Sequence, residues 1–165
     1  MIHTRPAGPD DAAAISALLL ANAAGEGGAL LGDWSVAVVR GWIASGALVL
    51  VAHDGERLAG VLLTEETAQA SAPPVLAMLR AWPGGADAYV YGPVCIDVAF
   101  RGRGVLDALY ADLVGRRPGR EAILFIRAGN TASLRAHARL GMREVGRFTL
   151  GGEDFRVLSD ATAAR

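Results

Sequence analysis

Apolar positions along the chain change period several times, and each change predicts an element. Residues 2–5 read as a short first strand. Over 9–23, Ile15, Leu18, Leu19 and Asn22 recur at helical spacing, so a first helix is expected. Gly8 stands near its cap and Pro9 at its first position, with Asp10 and Asp11 facing the positive end of the helix dipole. Gly25-Glu26-Gly27-Gly28 breaks the pattern. A second helix is expected over 33–44, carrying Trp34, Val38 and Ile43. Residues 47–53 and 57–65 read as strands around the turn Asp54-Gly55. The proline-bounded stretch 68–85 holds a short helix over 74–81, whose Met78, Leu79 and Trp82 offer an apolar face for a homodimer if exposed. A strand over 88–98 precedes a helix over 105–115 with Leu106, Leu109, Tyr110 and Leu113 on one side. Residues 121–127 are nearly all apolar, as in a strand buried on both faces. A helix over 130–140 is capped by Asn130 and ended by Gly141. Strands 145–150 and 154–158 close the chain as a hairpin around Gly151-Gly152.

The expected order is β-α-α-β-β-β-α-β-α-β-β. It predicts an α+β fold with a mixed, mostly antiparallel sheet, a parallel β-α-β crossover at its centre and helices on both faces. No internal repeat or linker interrupts the 165 residues, so one domain spanning the chain is expected.

Composition narrows the function. A net charge of −1 without a basic block argues against a nucleic-acid binder, whose affinity needs clustered cations. The chain has no lysine, so every fixed side-chain cation is an arginine. Cys95 is the only cysteine, which rules out an internal disulfide and fits a reducing cytoplasm. His3, His53 and His137 are scattered, and no metal site is expected. Arg5, the apolar stretch 12–20 and Ala21-Asn22-Ala23 imitate a signal peptide. Asp10 and Asp11 directly before that stretch suit a helix start instead. No apolar run approaches the ~18 residues of a membrane span.

The segment richest in chemistry is Arg101-Gly102-Arg103-Gly104-Val105-Leu106. It joins an apolar run, Val94 to Val98, to a helix. A strand turning through two glycines into a helix directs unpaired backbone N–H groups and the positive end of the dipole at one place, which suits a phosphate. Two arginines beside it can grip phosphate oxygens bidentately. A Walker loop would need Lys-Ser or Lys-Thr after Gly104, and a dinucleotide fingerprint would need glycine at Asp107; both fail. An ordinary glycine turn remains the alternative. Farther on, Asn130, Ser133 and His137 are spaced i, i+3, i+7 and share one helix face, which the crossover carries toward the glycine turn.

Taken together, the order of elements, the run Val94-Cys95-Ile96-Asp97-Val98-Ala99-Phe100-Arg101-Gly102-Arg103-Gly104 and the stretch from Asn130 to Met142 resemble the GNAT superfamily of N-acetyltransferases over nearly the whole chain. The resemblance implies acetyl-CoA as cosubstrate. It implies that the backbone amides from Arg101 through Gly102, Arg103, Gly104 and Val105 to Leu106 hold the pyrophosphate. The strand around Cys95, Ile96 and Val98 would pair with the pantetheine arm, and a backbone N–H there would polarise the thioester. Asn130 would help to position the cofactor. The implied activity is transfer of an acetyl group to a primary amine of a small molecule or peptide, by direct attack in a ternary complex. A non-catalytic acyl-CoA-binding or regulatory domain of the same fold is the alternative.

The chain departs from the family pattern at several places. Leu106 replaces the usual glycine or alanine. His137 replaces the tyrosine that serves as general acid toward the CoA thiolate; with an ordinary pKa of roughly 6.5, it can take that role. Gly92 and Pro93 occupy the region where many relatives carry an acidic base. Tyr89, Tyr91, Glu26, Glu65 and Glu66 are candidate substitutes, none distinguished by spacing. Cys95 has no activating neighbour in sequence and reads as a core residue rather than a nucleophile.

Overall fold

The computed structural model describes residues 1–23 and 31–161, so the break Gly25-Glu26-Gly27-Gly28, with the candidate base Glu26, lies outside the described residues. The elements are β1 Ile2–Pro6, α1 Ala12–Ala21, α2 Val36–Ala44, β2 Val49–Asp54, β3 Arg57–Glu66, α3 Pro73–Ala81, β4 Tyr89–Ile96, α4 Val105–Arg116, β5 Ala122–Arg127, α5 Thr131–Arg139, β6 Arg143–Leu150 and β7 Glu153–Ser159. Seven strands form a mixed sheet in the order β1-β2-β3-β4-β5-β7-β6, with helices on both faces. β1–β2, β2–β3, β5–β7 and β6–β7 pair antiparallel; β4–β5 pairs parallel through Tyr89–Ala122 and Val90–Ile123. The expected element order holds with one addition: the short helix read over 74–81 forms as α3 and stands between β3 and β4. No described helix is long and apolar enough to cross a membrane.

The chain divides into two compact units. The first comprises Met1–Thr64 and Gly92–Pro118; the second comprises Glu65–Tyr91 and Gly119–Arg165. In the first, Ile15 and Leu19 of α1 and Val39 of α2 are buried with Val51, Val61, Leu63 and Cys95. Pro9 opens a 3-10 turn capped by Gly8, and the helix proper follows. Trp34, expected inside the second helix, precedes it. Asp33 Oδ1 accepts from the Ser35 N–H at 3.0 Å, and Ser35 Oγ in turn accepts from the Val38 N–H at 3.3 Å. That side chain to backbone chain sets the helix start at Val36. The displaced Trp34 is buried, and its carbonyl accepts from Ser16 Oγ at 2.6 Å.

The second unit is built on Met78, Ala88, Val90, Ile123 and Val157. Phe148 and Phe155, opposite each other in β6 and β7, stack at 4.8 Å between centroids. Such a cross-strand pair adds about 0.5–1.5 kcal/mol beyond its burial. The apolar face proposed for a homodimer is not exposed. Met78 is fully buried, and Leu79 and Trp82 pack against the same cluster. Trp82 is turned inward by a polar anchor as well: its Nε1–H donates to Glu121 Oε2 at 2.8 Å. Glu121 Oε1 accepts the Gly85 N–H at 2.8 Å, and Ser159 Oγ donates to Oε2. This buried carboxylate ties the stretch after α3 to the start of β5 and the end of β7.

Candidate functional site

The glycine turn lies in the first unit. β4 ends at Ile96, and Asp97 closes a 3-10 turn over Val98–Phe100 by accepting the Ala99 N–H at 2.8 Å. The Asp97 N–H donates to Ala59 O of β3 at 2.9 Å, which fixes the exit of the strand. Val98 was expected in the pantetheine-binding strand; it sits instead in this turn, 73% exposed. The Asp97 cap competes with sheet pairing and ends the strand two residues early.

Arg101, Gly102, Arg103 and Gly104 are all exposed. Gly102 and Gly104 have φ of +73° and +78°, values that side chains rarely adopt, so both glycines are needed for the turn. Gly104 caps α4 and, as a glycine, makes no side-chain cap bond to the first-turn N–H groups. Val105 is buried, Leu106 half-buried and Asp107 exposed. The start of α4 is thus anchored by Val105 and leaves its backbone donors available. Arg101 donates to Asn22 Oδ1 at 3.2 Å, and Arg103 to Asp54 Oδ2 at 3.3 Å.

Close packing beneath the turn depends on Gly60 in β3. A Cβ there would lie 2.9 Å from both Ile96 Cδ1 and Val105 Cγ1, and 3.2 Å from Cys95 O. Gly60→Ala is expected to destabilise the protein by about 1–3 kcal/mol, read by urea denaturation, because the start of α4 and the end of β4 must both shift.

Cys95 is buried in β4, with its thiol 3.9 Å from Leu18 O. Burial pushes its pKa up to about 11; nearby Arg101 opposes this and Asp97 adds to it. The thiolate is scarce at neutral pH, which disfavours a covalent acyl-enzyme.

His137 lies in the second unit, buried in α5 at 2% exposure. Its Nδ1 is 2.8 Å from Ser133 O, and a carbonyl only accepts, so Nδ1 carries the hydrogen. Nε2 is then a lone pair, and the Tyr91 hydroxyl donates to it across 3.0 Å. The two rings meet edge to face, 5.5 Å apart at 87°. Burial pushes the imidazole pKa below its ordinary 6.5, partly offset by the Ser133 carbonyl bond. In this state the ring directs no proton outward. Asn130 caps α5, its Oδ1 accepting from the Ser133 N–H at 3.2 Å. The expected face of Asn130, Ser133 and His137 is therefore one linked hydrogen-bonded series.

The candidate bases separate by environment. Glu66 is engaged by Arg120 at 2.7 Å, whose guanidinium also stacks on the buried Tyr89. Glu65 is half-buried, and burial pushes its carboxyl above the usual range. Tyr91 is the partner of His137. Sequence spacing offers no signal for that pair, because the residues lie on different elements and meet only through the fold. No group of three or more His, Cys, Asp or Glu among the described residues could hold a metal ion.

No protein-family model and no curated protein matches the chain. Solved structures do match. YncA of Salmonella typhimurium, solved with its cofactor acetyl-CoA, is 21% identical with a TM-score of 0.73, covering 100% of this chain and 98% of its own. Arabidopsis thaliana NAA60 in complex with acetyl-CoA is 17% identical with a TM-score of 0.72, covering 96% of this chain and 97% of its own. The ribosomal-protein-alanine N-acetyltransferase of Brucella melitensis is 21% identical with a TM-score of 0.72, covering 95% and 98%. The likeness extends along the whole chain and is one of architecture: this protein has the fold of the GNAT superfamily of N-acetyltransferases.

Proposed function

We propose that the protein transfers an acetyl group from acetyl-CoA to a primary amine. The observation that carries this reading is the exposed turn from Arg101 to Gly104 leading into the glycine-capped start of α4, in a fold whose solved examples include complexes with acetyl-CoA. Backbone N–H groups of that turn suit the CoA pyrophosphate, and the β4 backbone around Cys95 and Ile96 suits the pantetheine arm. A backbone N–H of β4 would polarise the thioester carbonyl as the amine attacks. The carbon–sulfur bond breaks, the amine loses a proton, and the CoA thiolate gains one.

The proton-handling groups in this reading are Tyr91 and His137. The neutral imidazole accepts the phenol's one hydrogen, so Tyr91 serves as donor toward the thiolate by turning that hydroxyl away from His137, which holds it in place until then. Direct donation by His137 requires the imidazole to be protonated first, which its lowered pKa disfavours.

The test is CoA-thiol release from acetyl-CoA across a panel of amines, amino acids and peptides. Peptides with N-terminal alanine belong in the panel because one fold neighbour is named for that acceptor. Release that depends on one acceptor class is expected. Tight acetyl-CoA binding with no release from any acceptor would favour the regulatory alternative instead.

A further inference from the structure

Arg57 and Phe100 have no task in the reading above, yet they adjoin its cradle within the first unit. Phe100 is buried, and two guanidinium groups lie against its ring: that of Arg57 at 5.0 Å and that of Arg103 at 4.8 Å from the centroid. Arg57 opens β3, and the hairpin turn after Asp54 places it there. Each arginine has a nearby carboxylate, but neither contact is tight. Arg57 is 3.8 Å from Asp97 Oδ1, which already accepts the Ala99 N–H. Arg103 is 3.3 Å from Asp54 Oδ2, and Asp54 is shared with the Met1 amino group at 2.9 Å. By contrast, Arg5 and Asp11 form a fork-to-fork pair at 2.8 and 2.9 Å. The Arg57 and Arg103 side chains stay 62% and 52% exposed.

Two loosely paired guanidiniums held on one aromatic ring are pre-oriented forks, an arrangement suited to a dianionic phosphate monoester. Coenzyme A carries such a group, the ribose 3′-phosphate, besides its pyrophosphate. We propose that Arg57 and Arg103, held on Phe100, form a phosphomonoester subsite that takes the 3′-phosphate and makes the protein select CoA over 3′-dephospho-CoA. This rests on the cofactor reading above.

The test is calorimetric binding of CoA and 3′-dephospho-CoA to the wild-type protein and to Arg57→Gln. The wild type is expected to bind CoA about tenfold more tightly. Arg57→Gln should erase that preference by weakening CoA alone, and Arg57→Lys should restore part of it because it keeps the charge and loses the fork. Raising the salt should narrow the wild-type difference. Equal wild-type affinity for both ligands, or an Arg57→Gln loss shared equally by both, would overturn the subsite while leaving the cofactor reading intact. Failure of both ligands to bind would overturn both readings.

Discussion

Tyr91→Phe and His137→Ala are each expected to lower turnover at saturating acetyl-CoA by about tenfold or more, the lower range of positioned acid–base catalysis. The KM for acetyl-CoA should change much less, because neither side chain belongs to the proposed pyrophosphate turn. A tenfold loss in both variants supports the phenol as donor and the imidazole as its orienting partner. A silent Tyr91→Phe beside a damaged His137→Ala would make the imidazole itself the donor. Unchanged turnover in both would reduce the pair to packing. The pair also predicts a pH signature. Protonation converts Nε2 from acceptor to donor and breaks the bond from the Tyr91 hydroxyl. Because the folded-state pKa lies below the ordinary 6.5, the unfolded chain takes up this proton first. Stability from the neutral pair is complete above about 6.5 and is lost as the pH falls through the folded value. Thermal midpoints of the wild type should therefore fall more steeply on acidification than those of His137→Gln.

Glu121→Leu is expected to lower the unfolding free energy by about 3 kcal/mol, measured by urea denaturation. The substitution strands three donors: the Trp82 indole N–H, the Gly85 N–H and the Ser159 hydroxyl. Each orphaned buried donor costs about 1–3 kcal/mol, and relief from burying a carboxylate offsets part of the sum. Glu121→Gln keeps an acceptor and the side-chain shape, so it should cost about half as much. An unchanged midpoint in Glu121→Leu would show that the apolar cluster alone holds the segment after α3. The neighbouring Arg120–Glu66 ion pair is more exposed, and breaking it should cost less than about 1 kcal/mol.

What the sequence makes legible is mainly local. Helical spacing locates α1, α4 and α5, and Asn130 announces its cap because the capping bond spans only three residues. The Gly151-Gly152 turn likewise locates the last hairpin. Contacts set by topology leave no such mark. Tyr91 meets His137 and Arg57 meets Phe100 across different elements. Met78 on α3 looked exposable because helical spacing defines a face without saying what covers it; here β-strand residues such as Val90, Ile123 and Val157 do. Val98 had strand-like composition, and only the Asp97 cap excluded it from β4. The glycine turn was legible as an anion cradle, whereas the ring that gathers its second arginine was not.

The burial of Cys95 has a practical consequence. The chain's only thiol is enclosed and held protonated at neutral pH. A thiol-reactive reporter should therefore see almost nothing of the folded protein, and a rise in signal during turnover would report free CoA alone. The core position read for Cys95 from the sequence thus gives a thiol-release assay of this protein a quiet background.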